Sequence, residues 1–403
     1  MLRILDIYLL DELSGHLEQD KGGEVRFQYA ESWLNNPRAS PLSQSLPLRK
    51  ERFQRKECRG YFGGILPEES KREIIARNLG ISPRNDYAML EQIGGECAGA
   101  VTFLPHGQPL PQRREVSRKL SGRELAAILR ELPQRPLLAG EEGIRLSLAG
   151  AQDKIAVRIE NGEISLPLGG SPSTHILKPA VERFEGVVYN EAFCMQLAAA
   201  AGLPAAAVEA KSSAGVDYLL VQRYDRIHRP ALERLHQEDF CQALGIVSEN
   251  KYQKEGGPSL KQCFALLREV STAPARDLVR LLDAVIYNYL VGNNDAHGKN
   301  FSLLYRNDAT ELAPLYDVVS TASYPELSAN MAMKLGGEYS SDRVTVKHFE
   351  LLAGEAGLGP PLVRKRVREV SERVLAAIPK VKATRPAAKK VAALVRQRCQ
   401  APS

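Results

Sequence analysis

Three polar side chains of this 403-residue chain stand in an order that suits phosphoryl transfer. Asp295 is followed five positions later by Asn300, and a second carboxylate, Asp317, comes after an apolar stretch. In phosphoryl-transfer sites such an aspartate positions the attacking hydroxyl, while the asparagine and the later aspartate hold Mg²⁺. The order D-x-x-x-x-N…D is shared with eukaryotic-type protein kinases, but their His-Arg-Asp and Asp-Phe-Gly neighbours are missing. The spacing therefore predicts ATP-dependent chemistry from a lineage other than the standard one.

Two further segments could contact phosphates. Lys178 lies in a predicted apolar strand, 174–179, where its ammonium must meet an anion or reach solvent; a surface lysine on an edge strand is the alternative. Loop 149–154 begins with three small residues, so its amides could approach and cradle phosphate oxygens, although a plain hairpin turn also fits. The loop lacks the G-x-x-x-x-G-K of a Walker motif, which disfavours a P-loop NTPase.

A buried strand is predicted at 217–226, leading into a charged segment. In a two-lobed kinase the strand that enters the larger lobe passes the adenine. The backbone of Gln222, Arg223 and Tyr224 is therefore predicted to contact adenine, with the Tyr224 ring available for stacking.

A strongly apolar helix precedes the Asp295 segment. Its apolar residues recur at i, i+3, i+4 and i+7 from Leu278 to Leu290, and Gly292 is predicted to end it. A hairpin follows, predicted from 301–305 and 312–316 around Arg306-Asn307-Asp308, and it would return Asp317 to Asn300. A rigid helix running into a polar loop is a suitable scaffold for a catalytic group.

The N-terminal part reads as a small mixed α/β unit. We predict a strand at 2–10, a turn at Ser14-Gly15-His16, a second strand at 23–29 and a helix at 69–78 that Gly80 ends. In the proline-rich connector that follows, a helix is predicted at 121–132, with Ser121 as its N-cap and Glu124 completing a capping box.

Composition limits the remaining possibilities. The chain is long enough for two or three subdomains and has no apolar run of about 18 residues, so no membrane span is predicted. The acidic N-terminus does not resemble a secretory signal, so we expect a cytoplasmic location. The six cysteines form no C-x-x-C pair, which indicates reduced core residues rather than a metal or redox site.

The net charge of +6 is concentrated at the C-terminus. Residues 379–403 carry seven basic side chains and no acidic one, and the rest of the chain has 47 basic and 48 acidic residues. This basic tail could contact nucleic acid or an acidic partner, or could be a solvated terminal helix.

Seven motifs in register identify a resemblance to a known family. They are Ser147-Leu148-Ala149-Gly150-Ala151-Gln152-Asp153-Lys154, Ile176-Leu177-Lys178-Pro179, Asn190-Glu191, Gln237-Glu238-Asp239, Tyr252 with Gly256-Gly257-Pro258, Asn294-Asp295-Ala296-His297-Gly298-Lys299-Asn300-Phe301, and Tyr316-Asp317. Together they resemble the HipA-type serine/threonine kinases, the toxins of bacterial HipBA toxin–antitoxin pairs. The N-terminal segment Phe62-Gly63-Gly64-Ile65-Leu66-Pro67-Glu68 is also similar to that family.

The resemblance implies an α+β, two-lobed, protein-kinase-like fold with a small N-terminal α/β subdomain and a mainly helical C-terminal lobe. The implied organisation is an N-terminal subdomain at 1–106, a connector at 107–143, a small lobe at 144–226, a helical large lobe at 227–378, and the basic tail at 379–403.

The resemblance also implies the roles of individual residues. Asp295 and Lys299 would be catalytic, Asn300 and Asp317 would bind Mg²⁺, and Ser147 would be autophosphorylated, which in the family ejects its loop and silences the kinase. ATP would be contacted by Ala149, Gly150, Ala151, Gln152, Asp153, Lys154, Lys178, Gln222, Arg223, Tyr224, His297, Gly298 and Asn300. Gln222 departs from the family, where an acidic residue is often found.

Implied partners are a HipB-like helix-turn-helix antitoxin, operator DNA bound through that antitoxin, and a protein substrate, for which the family suggests an aminoacyl-tRNA synthetase. Two alternatives stay open. A small-molecule phosphotransferase uses the same Asp…Asn…Asp set, and a catalytically silent co-repressor would bind only an antitoxin–operator complex.

Overall fold

The chain is a mixed α/β protein. Its computed structural model describes residues 2–110, 116–229, 231–306 and 308–400. Pro111 of the predicted connector, Asn307 of the predicted hairpin turn and the last three residues of the predicted basic tail lie outside the described residues.

The described part of the chain forms strands and helices in short runs of each kind. The strands are β1 (Arg3–Leu9), β2 (Glu12–Gln19), β3 (Val25–Tyr29), β4 (Glu96–Cys97), β5 (Val101–Pro105), β6 (Ser117–Lys119), β7 (Leu146–Ser147), β8 (Ile155–Glu160), β9 (Glu163–Pro167), β10 (His175–Pro179), β11 (Val208–Ser213), β12 (Val216–Gln222), β13 (Arg226–Arg229), β14 (Ala231–Arg234), β15 (His236–Asp239), β16 (Ser302–Arg306), β17 (Ala309–Leu312), β18 (Asn330–Leu335) and β19 (Glu338–Ser340). The α-helices are α1 (Glu31–Leu34), α2 (Arg55–Gly64), α3 (Glu69–Leu79), α4 (Asp86–Ile93), α5 (Gly122–Glu131), α6 (Val187–Ala200), α7 (Phe240–Ala243), α8 (Leu260–Val270), α9 (Pro274–Val291), α10 (Val346–Ala356), α11 (Pro360–Ala377) and α12 (Pro386–Gln400).

These elements form two compact units. The first comprises Met1–Pro179, Ser212–Val216 and Asp225–Glu249, and the second comprises Ala180–Lys211, Asp217–Tyr224 and Asn250–Ser403. The first contains most of the strands, and the second contains α6 and α8 to α12.

An antiparallel sheet in the order β3-β2-β1-β5 forms the start of the first unit. Its turn differs from the prediction: β1 and β2 are joined by Leu10 and Asp11, with φ of 51° and 70°, and not by Ser14–His16. A tight hairpin needs two residues with positive φ, and here neither is a glycine, so the usual signal is missing. Gly15 lies inside β2, and this position requires a glycine because a Cβ there would come within 2.5 Å of the Gln28 carbonyl oxygen.

Local helix signals in the first unit were read correctly. Gly80 ends α3 in the left-handed conformation, with φ of 67°. The Ser121 hydroxyl caps α5, and Glu124 completes the predicted capping box. Both signals depend on residues within one helical turn, so these helix ends can be predicted without knowledge of the tertiary packing.

A buried ionic network holds together distant parts of the first unit. The Arg226 guanidinium lies 2.8 Å from a Glu96 carboxylate oxygen and 2.9 Å from a carboxylate oxygen of Asp225, and all three side chains are at most 3% exposed. The Gly99 amide donates to Asp225 at 2.7 Å, and the Ser173 amide donates to Glu96 at 3.1 Å. Buried charges are tolerated only when they are paired and hydrogen-bonded in this way.

We therefore expect Arg226→Met to lower the free energy of unfolding of the first unit by about 3–5 kcal/mol, because two buried carboxylates lose a partner. Trp33, the only tryptophan of the chain, is buried in this unit, so urea unfolding followed by its fluorescence is the measurement. The control is Arg38→Met, whose arginine is 83% exposed in its pair with Glu12. It should change stability by less than about 0.5 kcal/mol. Equal effects of the two variants would contradict the assigned importance of the network.

Helix α9 is the centre of the second unit. Leu281, Leu282, Ile286 and Leu290 are fully buried, as the predicted stripe required. Gly292 ends the helix in the left-handed conformation, with φ of 69°. Packing of this stripe fixes where the following polar loop begins.

Most of the basic C-terminal segment is helix α12, which packs against α6, α9 and α11. Its buried face consists of Ala388, Val391, Ala392, Val395 and Cys399. The Arg398 guanidinium donates to the Tyr289 carbonyl oxygen at 2.9 Å. The segment is therefore an amphipathic helix with one face in the core of its unit.

All six cysteines are buried, which confirms the prediction that they are core residues. Burial raises the pKa of the thiols of Cys58, Cys194, Cys263 and Cys399 to about 12. Such thiols are inert because the thiolate is the reactive form.

Among the residues that the structure describes, none of the helices has the length and apolar character that a membrane crossing needs.

Candidate active site

The loop after α9 is held in place by asparagine side chains. The Asn293 amide group donates from Nδ2 to the Asn288 side-chain oxygen at 2.8 Å, and the backbone N–H of Asn293 donates to the Asn288 carbonyl oxygen at 2.8 Å. The backbone N–H of Asp295 donates to the Asn293 side-chain oxygen at 3.2 Å. The last turn of the helix is thus tied to the loop, which limits how far Asp295 can move.

Asp295 is exposed, so its carboxylate is accessible from solvent. The Tyr252 hydroxyl donates to its Oδ1 at 2.9 Å. The Tyr252 ring also meets the His297 ring edge-on, with centroids 5.3 Å apart. Tyr252 therefore orients both side chains.

Asn300 and Asp317 lie side by side. Asn300 donates from Nδ2 to Asp317 Oδ2 at 3.2 Å, while its Oδ1 accepts from the His297 backbone N–H at 3.1 Å. Asp317 has a left-handed backbone, with φ of 57°. Non-glycine residues in that region are uncommon, and they cluster at functional sites.

The donor chemistry of this pair fits Mg²⁺. A carboxylate and an amide offer oxygen ligands, which Mg²⁺ prefers, and both side chains are at most partly exposed. The Asn300 amide would have to turn so that its oxygen faces Asp317. The two would then hold the ion, with water and phosphate oxygens completing its ligands.

A second cluster supports the loop from behind. The Tyr316 hydroxyl donates to the Lys299 carbonyl oxygen at 2.6 Å and lies 2.6 Å from the Ser302 hydroxyl. The Tyr316 ring lies 5.6 Å from that of Tyr224. Lys299 and Gly298 are buried. The structure therefore brings Asp295, His297, Lys299, Asn300, Asp317 and Tyr224 into one region of the second unit.

The predicted adenine segment is at the end of β12. Gln222 is exposed, Arg223 is buried and Tyr224 is half-buried. The Gln222 backbone N–H already donates to the Ala207 carbonyl oxygen at 2.8 Å. The Gln222 N–H is thus already bonded within the protein, and the groups of this segment that could contact adenine are its other backbone groups and the Tyr224 ring.

In the first unit, the predicted phosphate loop is closed on itself. Lys154 donates from Nζ to the Ala149 carbonyl oxygen at 2.6 Å, and Asp153 pairs with Lys71 at 2.7 Å. Gly150 has φ of 107°, and its carbonyl oxygen accepts from the Glu68 N–H at 3.3 Å. Ala151 and Gln152 are half-buried. The loop is thus a turn that uses the positive φ open to glycine, and the Lys154 ammonium group bridges its two ends.

Ser147 is completely buried in β7. Its hydroxyl donates to the Ile65 carbonyl oxygen at 3.0 Å, and Ser147 pairs with Cys97 of β4. A phosphate could not be attached in this position, so phosphorylation requires β7 to leave the sheet.

Lys178 lies in β10, which pairs with β8, and only 7% of it is exposed. This burial argues against the alternative of a surface lysine.

Two models of protein families match the chain. A model described as "HipA N-terminal domain" matches residues 5–104, and one described as "HipA-like C-terminal domain" matches residues 146–380, which is more than half of the chain. The chain belongs to the HipA family. Every predicted site residue lies inside the second matched range.

Relatives match over nearly the whole chain. "Putative kinase Y4mE" of Sinorhizobium fredii is 48% identical over 94% of this chain and 92% of that protein. "Serine/threonine-protein kinase toxin HipA" of Shewanella oneidensis is 29% identical over 94% of this chain and 89% of that protein. A chain of the solved complex of HipA, HipB and operator DNA from Shewanella oneidensis MR-1 is similar in structure, with a TM-score of 0.87. It is 26% identical, and the match covers 98% of this chain and 96% of that one.

Tyr252 and Tyr316 were not among the predicted site residues. Each belongs to a motif used to identify the HipA family, Tyr252 with the glycine-rich loop and Tyr316 beside Asp317. Their places in these two motifs were the signal in the sequence that could have marked both tyrosines as site residues. Their hydroxyl contacts depend on tertiary packing, since Tyr252 and Asp295 are 43 positions apart.

Proposed function

We propose that this HipA-family chain is an ATP- and Mg²⁺-dependent serine/threonine protein kinase, and that it acts as the toxin of a toxin–antitoxin pair. The observation that carries the proposal is the adjacency of Asn300 and Asp317 in the same region as the exposed Asp295. The name of the Shewanella oneidensis relative supports it. A two-lobed kinase-like arrangement and the domain boundaries predicted from the sequence are part of this proposal.

Asp295 is the proposed catalytic residue. Its carboxylate orients a serine or threonine hydroxyl of the protein substrate and accepts the proton as the hydroxyl oxygen bonds to the γ-phosphorus and the bond to ADP breaks. Tyr252 holds the carboxylate in position by its hydrogen bond. Lys299, on the same loop, stabilises the negative charge of the transferring group, and His297 lines the nucleotide.

Asn300 and Asp317 are the proposed magnesium ligands. Bound Mg²⁺ would neutralise charge on the β- and γ-phosphates and favour departure of ADP. The two residues supply one negative charge and two oxygen ligands in a partly buried setting. Gly298 lets the loop backbone come close to the nucleotide.

The remaining contacts with ATP are proposed for Lys178, for the loop from Ala149 to Lys154 and for the end of β12. Lys178 would contact a phosphate, because its ammonium group carries the charge that complements phosphate oxygens. The loop from Ala149 to Lys154 would present amides to phosphate oxygens once Lys154 releases Ala149. Arg223 and Tyr224 would contact adenine.

Ser147 is proposed as the site of autophosphorylation. The Ser147 hydroxyl donates to a carbonyl oxygen at a buried position of the two-stranded β4–β7 sheet, and a phosphate of about −2 charge could not occupy that position. Modification would therefore displace the loop that starts at Ser147 and stop ATP binding, which makes the reaction a self-limiting switch.

The proposed partners follow the structural relative. Its complex contains HipB and operator DNA. We propose a HipB-like helix-turn-helix antitoxin for this chain, with DNA bound through it. The substrate is a protein, and an aminoacyl-tRNA synthetase is the first candidate to test.

The test is incubation of the full-length protein with γ-labelled ATP, Mg²⁺ and a bacterial lysate. We expect label in protein bands, and label confined to small metabolites would overturn the protein-kinase proposal. Expression of wild-type protein should arrest growth, whereas the Asp295→Ala variant should not. Equal arrest by both would show that toxicity does not come from phosphoryl transfer.

The same reactions test Ser147. Intact-mass spectra of the wild type should gain one phosphate, and the Ser147→Ala variant should gain none and stay active for longer. Label transfer to substrate without any added mass on the wild type would remove Ser147 from the mechanism.

A further inference from the structure

Three potential metal ligands converge in the N-terminal sheet, in the first unit. The Nδ1 atoms of His16 and His106 each lie 2.8 Å from the same oxygen, Oδ1 of Asp6. The three ligand atoms all lie within 4.8 Å of one another. Within the described ranges of the chain, no other group of three such residues reaches this spacing.

The backbone fixes the positions of all three. Asp6 of β1 pairs directly with His16 of β2 on one side and with Leu104 of β5 on the other. The His106 backbone N–H donates to the Ile4 carbonyl oxygen at 3.1 Å, which places this histidine just beyond the end of β5. The convergence is therefore a property of the sheet, and it does not depend on a loop conformation.

The carboxylate is anchored while the imidazoles face outward. Asp6 is 4% exposed, and its second oxygen, Oδ2, accepts from the Gly107 N–H at 2.9 Å. The side chains of His16 and His106 are 30% and 59% exposed. An ion could enter from the solvent side, and water could fill its remaining positions. A backbone donor that orients a ligating carboxylate is a usual support of metal sites.

We propose that Asp6, His16 and His106 form a binding site for a divalent transition metal, with Zn²⁺ as the ion to test. Two imidazoles and one carboxylate, with water in the fourth position, are an established set of zinc ligands. Small movements of the three side chains would be enough to bind the ion, because ligand atoms around tetrahedral zinc are only slightly further apart than the hydrogen-bonded Nδ1 and Oδ1 atoms here.

Proton balance favours this ligand set. Metal binding uses the lone pair of Nδ1, so in the bound state each imidazole carries its proton on Nε2, where water can accept a hydrogen bond. The Asp6 carboxylate keeps its Gly107 hydrogen bond on Oδ2, so its Oδ1 is the oxygen that faces both imidazoles and the incoming cation. No thiol competes, since the six cysteines are buried.

Such an ion would connect three segments that are distant in sequence. It would join β1, β2 and the segment after β5, where the predicted connector begins. Because the ion would bind the folded state alone, it would raise the stability of the first unit by mass action. The site shares no residue with the proposed kinase site, so its test is independent of kinase activity.

The experiment is calorimetric titration of the full-length, chelator-treated protein with zinc chloride. We expect one equivalent to bind with a Kd of about 1 µM or tighter, and His16→Gln and His106→Gln to weaken binding by at least about 100-fold each. The control is His348→Gln, in the other unit, where glutamine can keep the capping-box position of His348. Zinc should also raise the urea midpoint followed by Trp33 fluorescence in the wild type and the control alone.

Absorption spectra with Co²⁺ in place of Zn²⁺ keep the proposal testable if a variant fails to fold. The wild type should show the intense visible bands of a four-coordinate nitrogen and oxygen site, without thiolate charge-transfer bands. Failure of the wild type to bind zinc at 100 µM, undiminished binding in both histidine variants, or thiolate bands would each overturn the proposal.

Discussion

Replacing Asp295 with asparagine should lower the rate of phosphoryl transfer to protein by about 10²- to 10⁴-fold. Asparagine keeps the size of the side chain and can still accept a hydrogen bond from Tyr252, so the loop should hold its conformation. It cannot accept the hydroxyl proton, because an amide oxygen is a very weak base. The loss should therefore fall on kcat, with little change in KM for ATP.

The measurement is steady-state transfer of label from ATP to protein, with two comparison variants. Tyr252→Phe removes the hydroxyl 2.9 Å from Asp295 but keeps the ring against His297. It should lower kcat by no more than about tenfold, since it removes orientation and leaves the base. Asp308→Asn changes an exposed carboxylate in the β16–β17 turn and should leave the rate unaltered.

A different ranking would change the assignment. If Tyr252→Phe abolished transfer while Asp295→Asn retained it, the tyrosine hydroxyl and not the aspartate would be the group that handles the proton. If Asp295→Asn kept full activity, the phosphoryl-transfer proposal would lose its central residue.

Replacing Asp317 with asparagine should abolish Mg²⁺-dependent ATP binding, with an affinity loss of at least about 100-fold. Asparagine removes the charge, keeps the size of the side chain and tolerates the left-handed backbone that Asp317 adopts, with φ of 57°. The fold should therefore survive. What disappears is the anionic oxygen beside Asn300, and a neutral amide pair holds Mg²⁺ poorly.

Calorimetry with ATP in the presence of Mg²⁺, and again with a chelator, separates the metal from the nucleotide. The wild type should bind far more tightly with Mg²⁺, whereas Asp317→Asn should give the same weak affinity in both conditions. Asp308→Asn is again the matched control. Unchanged affinity of Asp317→Asn for ATP with Mg²⁺ would refute the metal assignment and leave Asn300 and Asp317 as a structural pair.

The elements that carry the candidate site could be predicted because their signals are local. The apolar stripe of α9 and its end at Gly292 were both read from spacing within a few turns. Strand β16 falls on the strand predicted at 301–305, whereas β17, at Ala309–Leu312, lies earlier than the strand predicted at 312–316 because the turn is tighter than predicted. The hairpin still returns the chain so that Asp317 reaches Asn300. A long helix followed by a short hairpin leaves few arrangements, so this proximity was already implied by the order of the elements.

Other features depend on which strands pair and in what register, which no local pattern reports. The turn at Leu10 and Asp11 was missed because two non-glycine residues adopt positive φ there. The predicted turn at Ser14–His16 is instead part of β2, where Gly15 serves a close approach between strands. A glycine in a strand pattern can mark a turn or a close approach between strands, and only the position of the neighbouring strand distinguishes the two.

By itself, the sequence determined the candidate set of Asp295, Asn300 and Asp317, the helix that precedes it and the resemblance to the HipA family. These depend on residue types and short spacings. Only the tertiary structure decided which distant groups come into contact. Examples are Arg226 with Glu96, Tyr252 with Asp295, and His16 and His106 with Asp6. These contacts join residues from 10 to 130 positions apart, and their partners are selected by packing and strand register rather than by any preference of the residues themselves.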